Sequence, residues 1–258
     1  MIDTHTHLYS DQFDEDRNEM IQRAIDKSVD KFFLPAIDSS THKKMLNLEA
    51  EYPQQIFSMM GLHPCSVNSE TWENELKIVE NYLNLRAFCA VGEIGIDLYW
   101  DQSTLEIQIR AFEQQIDWAI QMDLPIVIHT RESFDEVFAV LERKKNPKLR
   151  GIFHCFSGNR EQADRAISLG FLLGIGGVVT FKNGKIDQFL HEIPLENIVL
   201  ETDSPYLAPV PFRGKRNESA YLELVAGKLV TIYGKSFSEI DRITTENALK
   251  VFQIATNL

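Results

Sequence analysis

An α/β barrel of eight parallel strands is the fold class this sequence predicts, and three observations predict it. Eight short apolar runs alternate with amphipathic stretches along the chain; five of those runs carry a histidine or carboxylate at or near their ends; and the length of 258 residues lies near the ~250 typical of such a barrel. The alternation implies parallel strands joined by right-handed crossovers. An open doubly wound sheet would alternate in the same way, but it gathers its chemistry at one crevice. Ligand-type residues on the first, fourth, fifth, sixth and eighth runs converge only if the sheet closes on itself, so a TIM-type (β/α)8 barrel is expected.

The first run, 2–5, opens the motif Ile2-Asp3-Thr4-His5-Thr6-His7. In a strand, residues two apart share a face, so His5 and His7 can close on one ion. Residues 14–28 repeat apolar side chains at helical spacing. Runs 31–37 and 56–63 follow, the second ending on His63, and 70–85 reads as a helix. Run 89–97 carries Glu93 and is followed by a long amphipathic stretch, 105–122. Pro125-Ile126-Val127-Ile128-His129 and Gly151-Ile152-Phe153-His154 both stop on an imidazole, with helical stretches at 133–145 and 161–169. Run 171–180 holds Gly174, Gly176 and Gly177. That spacing lies inside a strand and opens no helix, so close backbone packing is expected there and not a phosphate loop. Ile198-Val199-Leu200-Glu201-Thr202-Asp203 runs into two carboxylates that share a face by parity. Two further helices, 219–233 and 238–255, finish the chain, with Ser238 and Thr244 as cap residues. Nothing resembling a linker or internal repeat interrupts this order, so a single domain, 1–258, is expected.

Composition excludes several classes. With 26 Lys and Arg against 38 Asp and Glu, the net charge is −12, which argues against a broad electropositive surface. Polyanion binding would need a local cationic groove, to which divalent ions would contribute. Cys65, Cys89 and Cys155 are odd in number and widely spaced, so neither a disulfide framework nor a thiolate zinc site is indicated. Asp3 and His5 stand where a signal peptide would carry basic residues, and the longest apolar run, 169–181, is Gly-rich and shorter than the ~18 residues of a membrane span. A cytoplasmic protein with no membrane association and no obligate protein partner is expected.

Nitrogen and oxygen ligands without sulfur suit Zn²⁺, Mn²⁺, Mg²⁺ or Co²⁺. Six candidates, His5, His7, Glu93, His129, His154 and Asp203, exceed one tetrahedral shell and suffice for two divalent ions if a carboxylate bridges them. Glu93 is the natural bridge, one oxygen to each ion. Such a pair activates water and stabilises charge on both attacking and leaving oxygens, so hydrolysis is the expected chemistry.

Taken together, His5-Thr6-His7, Gly61-Leu62-His63-Pro64, Gly92-Glu93-Ile94-Gly95-Ile96-Asp97, His129-Thr130-Arg131, His154-Cys155-Phe156-Ser157-Gly158 and Glu201-Thr202-Asp203-Ser204-Pro205-Tyr206-Leu207 resemble the successive signatures of TatD-related deoxyribonucleases, metal-dependent hydrolases with an amidohydrolase-type barrel. The resemblance implies a 3′-5′ exonuclease acting on DNA, single-stranded or at 3′ ends. It also implies one ion on His5, His7 and Glu93, a second on Glu93, His129 and His154, and Asp203 at the metal centre, where its carboxylate would orient the water and accept its proton. Relatives often carry a second histidine where this chain has Cys65, and a proline where it has Ser219. Two rivals share the ligand set: an amidohydrolase-type enzyme acting on a small amide, ester or cyclic substrate, and a non-catalytic, metal-stabilised nucleic-acid binding protein.

Secondary positions have paired interpretations. His63 is either a substrate or phosphate contact at the rim or a core histidine satisfied by backbone groups. Arg131 either forks toward phosphate or pairs with Glu132 or Glu201, and Glu201 is placed to tune a ligand histidine. Phe181-Lys182-Asn183-Gly184-Lys185 and Phe212-Arg213-Gly214-Lys215-Arg216 set cations beside aromatics, so Lys182 and Arg213 either hold a stacked nucleotide or are simply solvated. His42 and His191 read as surface residues, and Trp72, Trp100 and Trp118 as core or rim packing.

Overall fold

The computed structural model describes residues 1–254, so Ala255 at the end of the expected last helix lies outside the described residues. All eight expected strands form: β1 (Ile2–Asp3), β2 (Lys31–Leu34), β3 (Ile56–Ser58), β4 (Val91–Asp97), β5 (Ile126–Arg131), β6 (Gly151–Phe153), β7 (Phe171–Ile175) and β8 (Ile198–Leu200). Every pairing is parallel and sequential, β1-β2-β3 in one ladder and β4 to β8 in the other. A bridge from Met60 to Val91 joins β3 to β4. At the other seam, Thr4 N donates to Leu200 O at 3.0 Å and Asp203 N to His5 O at 2.9 Å, so the last strand meets the first.

Helices α1 (Arg17–Asp26), α2 (Ser39–Glu51), α3 (Trp72–Leu85), α4 (Leu105–Met122), α5 (Phe134–Arg143) and α6 (Arg160–Ser168) follow the first six strands in turn. Strict alternation fails once. Between β7 and β8 the chain forms only short 3-10 turns, because that segment carries a Gly-bearing turn and Pro194 where a helical run would be needed. β8 and β1 are packed by α8 (Phe237–Val251), which also packs on α7 (Leu222–Tyr233). Neither Ser238 nor Thr244 caps α8. Ser236 does, its Oγ accepting from Glu239 N while Glu239 accepts from Ser236 N, a reciprocal pair that places the cap two residues earlier.

Strand parity sorts the core into two layers. Ile2, Phe33, Ala90, Val127, Ile152 and Val199 form one buried cluster with Phe252, whose ring stacks on Phe33 with centroids 4.0 Å apart. His129, His154 and Glu201 stand two residues beyond Val127, Ile152 and Val199, on the same face and nearer the C-terminal ends of the strands. The larger cluster lies between strands and helices, with Val91, Ile126, Ile128 and Phe153 facing Phe112, Ile116 and Phe138. No helix among the described residues is long and apolar enough to cross a membrane.

One surface expectation is corrected. His42 is buried, edge-on to the Tyr82 ring at 5.3 Å, because α2 turns that face toward α3; His191 is indeed exposed. Of the tryptophans expected in the core or at the rim, Trp118 is buried and Trp100, 71% exposed, is at the surface.

Candidate metal centre

Backbone irregularity places the central carboxylate. Ala90 faces the inner cluster and Val91 the outer one, so simple alternation would turn Glu93 outward. The β4–β5 register shifts between Val91 and Ile94, and the extra residue of this bulge swings Glu93 inward, where it is 2% exposed. Glu93 therefore stands within β4, not at its end. The His5-Thr6-His7 motif is displaced the other way: β1 stops at Asp3 and both imidazoles lie just past it, as His154 and Asp203 lie past β6 and β8.

The two oxygens of Glu93 face different groups. Oε2 lies 3.1 Å from His5 Nε2 and 3.9 Å from His7 Nε2. Oε1 lies 2.8 Å from His129 Nδ1, 3.3 Å from His63 Nε2 and 3.6 Å from His154 Nε2. Asp203 Oδ1 approaches His7 Nε2 at 3.5 Å and His5 Nε2 at 3.8 Å. The structure thus brings together all six residues expected from the sequence as ligands, and His63 with them. His5-His7-Glu93, Glu93-His129-His154 and His5-His154-Asp203 each offer three ligand atoms within 4.8 Å of one another.

Partners behind the imidazoles decide which nitrogen faces the centre. Tyr9 Oη donates to Pro35 O at 2.6 Å and so accepts from His7 Nδ1 at 2.9 Å, leaving His7 Nε2 as a lone pair toward Glu93 and Asp203. Asp97 Oδ2 accepts from His129 Nε2 at 2.8 Å, which leaves Nδ1 inward. Glu201 Oε1 lies 3.1 Å from His154 Nδ1, close enough for an ion pair but without hydrogen-bond geometry. Sequence reasoning missed Tyr9 and Asp97. Asp97 closes a motif that had been read only for Glu93, and its parity with Glu93 was the available signal. His63 differs: its Nδ1 accepts from Cys65 N at 3.0 Å, so the neutral ring carries its proton on Nε2 and presents a donor.

Charge follows from this crowding. Burial raises the Glu93 carboxyl, but His63, His5 and His154 outweigh it and hold its pKa well below the usual range. Burial likewise opposes the His154 imidazolium, yet Glu201, Glu93 and Asp203 lift its pKa to about 10. His5 is lowered, by burial and then by the neighbouring His154 charge. Both ring nitrogens of His5 are buried without a hydrogen-bond partner. Unsatisfied lone pairs, facing carboxylates and borderline-soft imidazoles fit a divalent cation well.

The expected substrate residues scatter around the rim. Arg131 pairs with neither Glu132 nor Glu201. Its guanidinium lies over the Tyr99 ring at 3.7 Å, since Glu201 is wholly buried beside His154. Arg213 stacks on Phe181 at 4.0 Å, which joins the two aromatic-cation loops into one surface, and Lys182 is exposed nearby. Gly174 behaves as close packing demands: a Cβ there would meet Glu201 Oε2 at 2.2 Å. Ser219 Oγ donates to Asp3 Oδ2 at 2.6 Å, and Asp3 also accepts from Thr202 N and Oγ1 at 2.9 and 2.7 Å. The residue that stands in place of proline therefore helps tie β1 to the segment after β8. All three cysteines are free, although Cys65 lies within ligand distance of His63 and His129.

Comparison with known proteins agrees with this arrangement. The family model described as TatD related DNase matches residues 2–253. An uncharacterized metal-dependent hydrolase of Bacillus subtilis, YabD, is 37% identical over 255 residues, covering 98% of this chain and 99% of its own. The 3′-5′ ssDNA/RNA exonuclease TatD of Pectobacterium parmentieri is 29% identical over 262 residues, covering 99% and 100%. Among solved structures, the TatD homologue YjjV of Escherichia coli superposes with a TM-score of 0.93 at 30% identity, covering 99% of this chain and 98% of that one. With its ligand-type side chains gathered at one barrel mouth and its length matched end to end, this chain belongs to the TatD-related DNase family of metal-dependent hydrolases.

Proposed function

We propose that this protein hydrolyses phosphodiester bonds of single-stranded DNA, or of DNA 3′ ends, in the 3′-5′ direction with two divalent cations, Mg²⁺, Mn²⁺ or Zn²⁺. The observation that carries the proposal is the two-sided placement of Glu93, with His5 and His7 on one oxygen and His129 and His154 on the other. In this reading the first trio holds one ion and Glu93, His129 and His154 hold the second. The exonuclease named TatD, which this chain matches along its whole length, supports the choice of nucleic acid over a small amide or ester.

Two cations bound there supply Lewis acidity toward a phosphate oxygen and make a water more acidic. The chain's own groups do the rest. Asp203 is the most exposed carboxylate of the cluster, at 13% against 2% for Glu93, so it is the one a water can reach. It orients that water for in-line attack on phosphorus and accepts its proton. His63 Nε2–H donates toward a non-bridging phosphate oxygen, and Arg131, Lys182 and Arg213 hold flanking phosphates.

The test uses cation-loaded protein and end-labelled single-stranded oligonucleotides. A ladder shortening from the 3′ end is expected, and Asp203→Asn should retain DNA binding while cleavage falls by about 10²- to 10⁴-fold. No cleavage of single-stranded or duplex DNA with Mg²⁺, Mn²⁺ or Zn²⁺ overturns the proposal.

A further inference from the structure

Beside the carboxylate that holds His129, two large aromatic rings stand in solvent. Trp100 is 71% and Tyr99 50% exposed, and the rings meet edge to face with centroids 4.9 Å apart. Large rings contribute most to stability when buried, so an exposed pair at a site mouth marks a surface for something else to cover. The Arg131 guanidinium lies 3.7 Å from the Tyr99 centroid and 5.5 Å from that of Trp100, and these rings, not a carboxylate, are its neighbours. The group is also anchored to the metal cluster. Asp97 Oδ1 accepts from Tyr99 N at 3.0 Å and Trp100 N at 3.2 Å, while its Oδ2 accepts from His129 Nε2 at 2.8 Å. One carboxylate thereby sets the distance between the rings and the reacting centre.

We propose that Trp100, Tyr99 and Arg131 form a base-stacking subsite that seats one unpaired nucleobase next to the phosphodiester to be cut. The inference rests on the nuclease reading above and adds a source of single-strand preference. An aromatic face takes any base, since every base has a π-face, and a cation beside it strengthens the contact. A base inside a duplex already has both faces covered by its stacked neighbours and must leave the stack to reach Trp100. At a net charge of −12 the protein's overall field repels a polyanion, so local stacking and a local guanidinium have to supply the attraction.

The experiment pairs wild type and Trp100→Ala, both cation-loaded, with single-stranded oligonucleotides in which a tetrahydrofuran abasic residue replaces each of the last four nucleotides in turn. On the fully based oligonucleotide, Trp100→Ala is expected to lower kcat/KM about 5- to 100-fold. At one abasic position wild type should fall by a similar factor and the variant should lose nothing more, the coupling expected of a contact between that ring and that base. Trp100→Phe should recover most of the loss. Quenching of Trp fluorescence by an oligo-dT, measured in Asp203→Asn and absent when Trp100→Phe is added, reads the contact without cleavage. Equal losses for Trp100→Ala on based and abasic strands at every position, or quenching that survives Trp100→Phe, overturn the subsite. Quenching through Trp100 with no cleavage of any strand would instead sink the nuclease reading and leave the subsite standing.

Discussion

An imidazole that binds a cation is best oriented when its other nitrogen has a partner, and in this protein Tyr9 and Asp97 bond His7 and His129 in that way, while the Glu201 carboxylate lies 3.1 Å from His154 Nδ1. Each restrains the rotation of its ring, so each should matter nearly as much as a ligand. Asp97→Asn keeps the acceptor oxygen for the Tyr99 and Trp100 amides but loses the charge that orients His129. It is expected to weaken divalent-cation binding about 10- to 100-fold by titration calorimetry; an unchanged affinity would remove Asp97 from the centre. Glu201 has a neighbour with a steric veto, because any side chain at position 174 would displace its carboxylate from His154.

Among the elements, the connection after β8 does the most unusual work. It brings Arg216 to the N-terminus of α1, where Nη1 and Nη2 donate to the two oxygens of Asp16 at 2.7 Å each, and Arg23 donates to Asp16 at 2.9 Å and to Glu218 at 2.7 Å. Arg216 above all, against the opposing effect of burial and with help from Arg23, holds the Asp16 pKa down to about 2 from 3.8. A depressed carboxylate stabilises the fold above its unfolded pKa and loses that contribution as pH falls through its folded one. Asp16→Asn is therefore expected to lower stability at pH 7 by about 0.5–1 kcal/mol, a value suited to a partly solvated network. Urea melts should show the gap to wild type closing as pH drops from 4 toward 2; a gap that widens over that range would contradict the assignment. The bulge in β4 acts more locally and more decisively, since without it Glu93 would face the helices.

For the whole molecule, gathering Glu93, Asp97, Glu201 and Asp203 among histidines at one mouth concentrates anionic oxygens where a cation can bind. Binding to the folded state alone raises stability by RT ln(1 + [L]/Kd), about 2.7 kcal/mol at a hundredfold excess over Kd. Thermal melts are expected to rise by roughly 5–10 °C on saturation with Mn²⁺ or Zn²⁺ and to fall back on adding a chelator. A midpoint indifferent to both would mean that the cluster holds no ion.

Strand order and the ligand roster could be read from the chain alone because both are local. Apolar runs announce strands, and parity from Val127 to His129, from Ile152 to His154 and from Glu201 to Asp203 tells which side chains share a face. The inward turn of Glu93 could not be read so, because a bulge reverses parity without leaving a mark in apolar spacing. Nor could the neighbours of Arg131, which passes over two nearby acids to rest on Tyr99, or the capture of Asp3 by Thr202 and Ser219 across some two hundred residues. Sequence by itself determined what could bind a metal and at which strand; closure of the sheet decided which atom of each group faces inward, because only closure brings the end of β8 against β1 and sets one strand's side chains opposite another's.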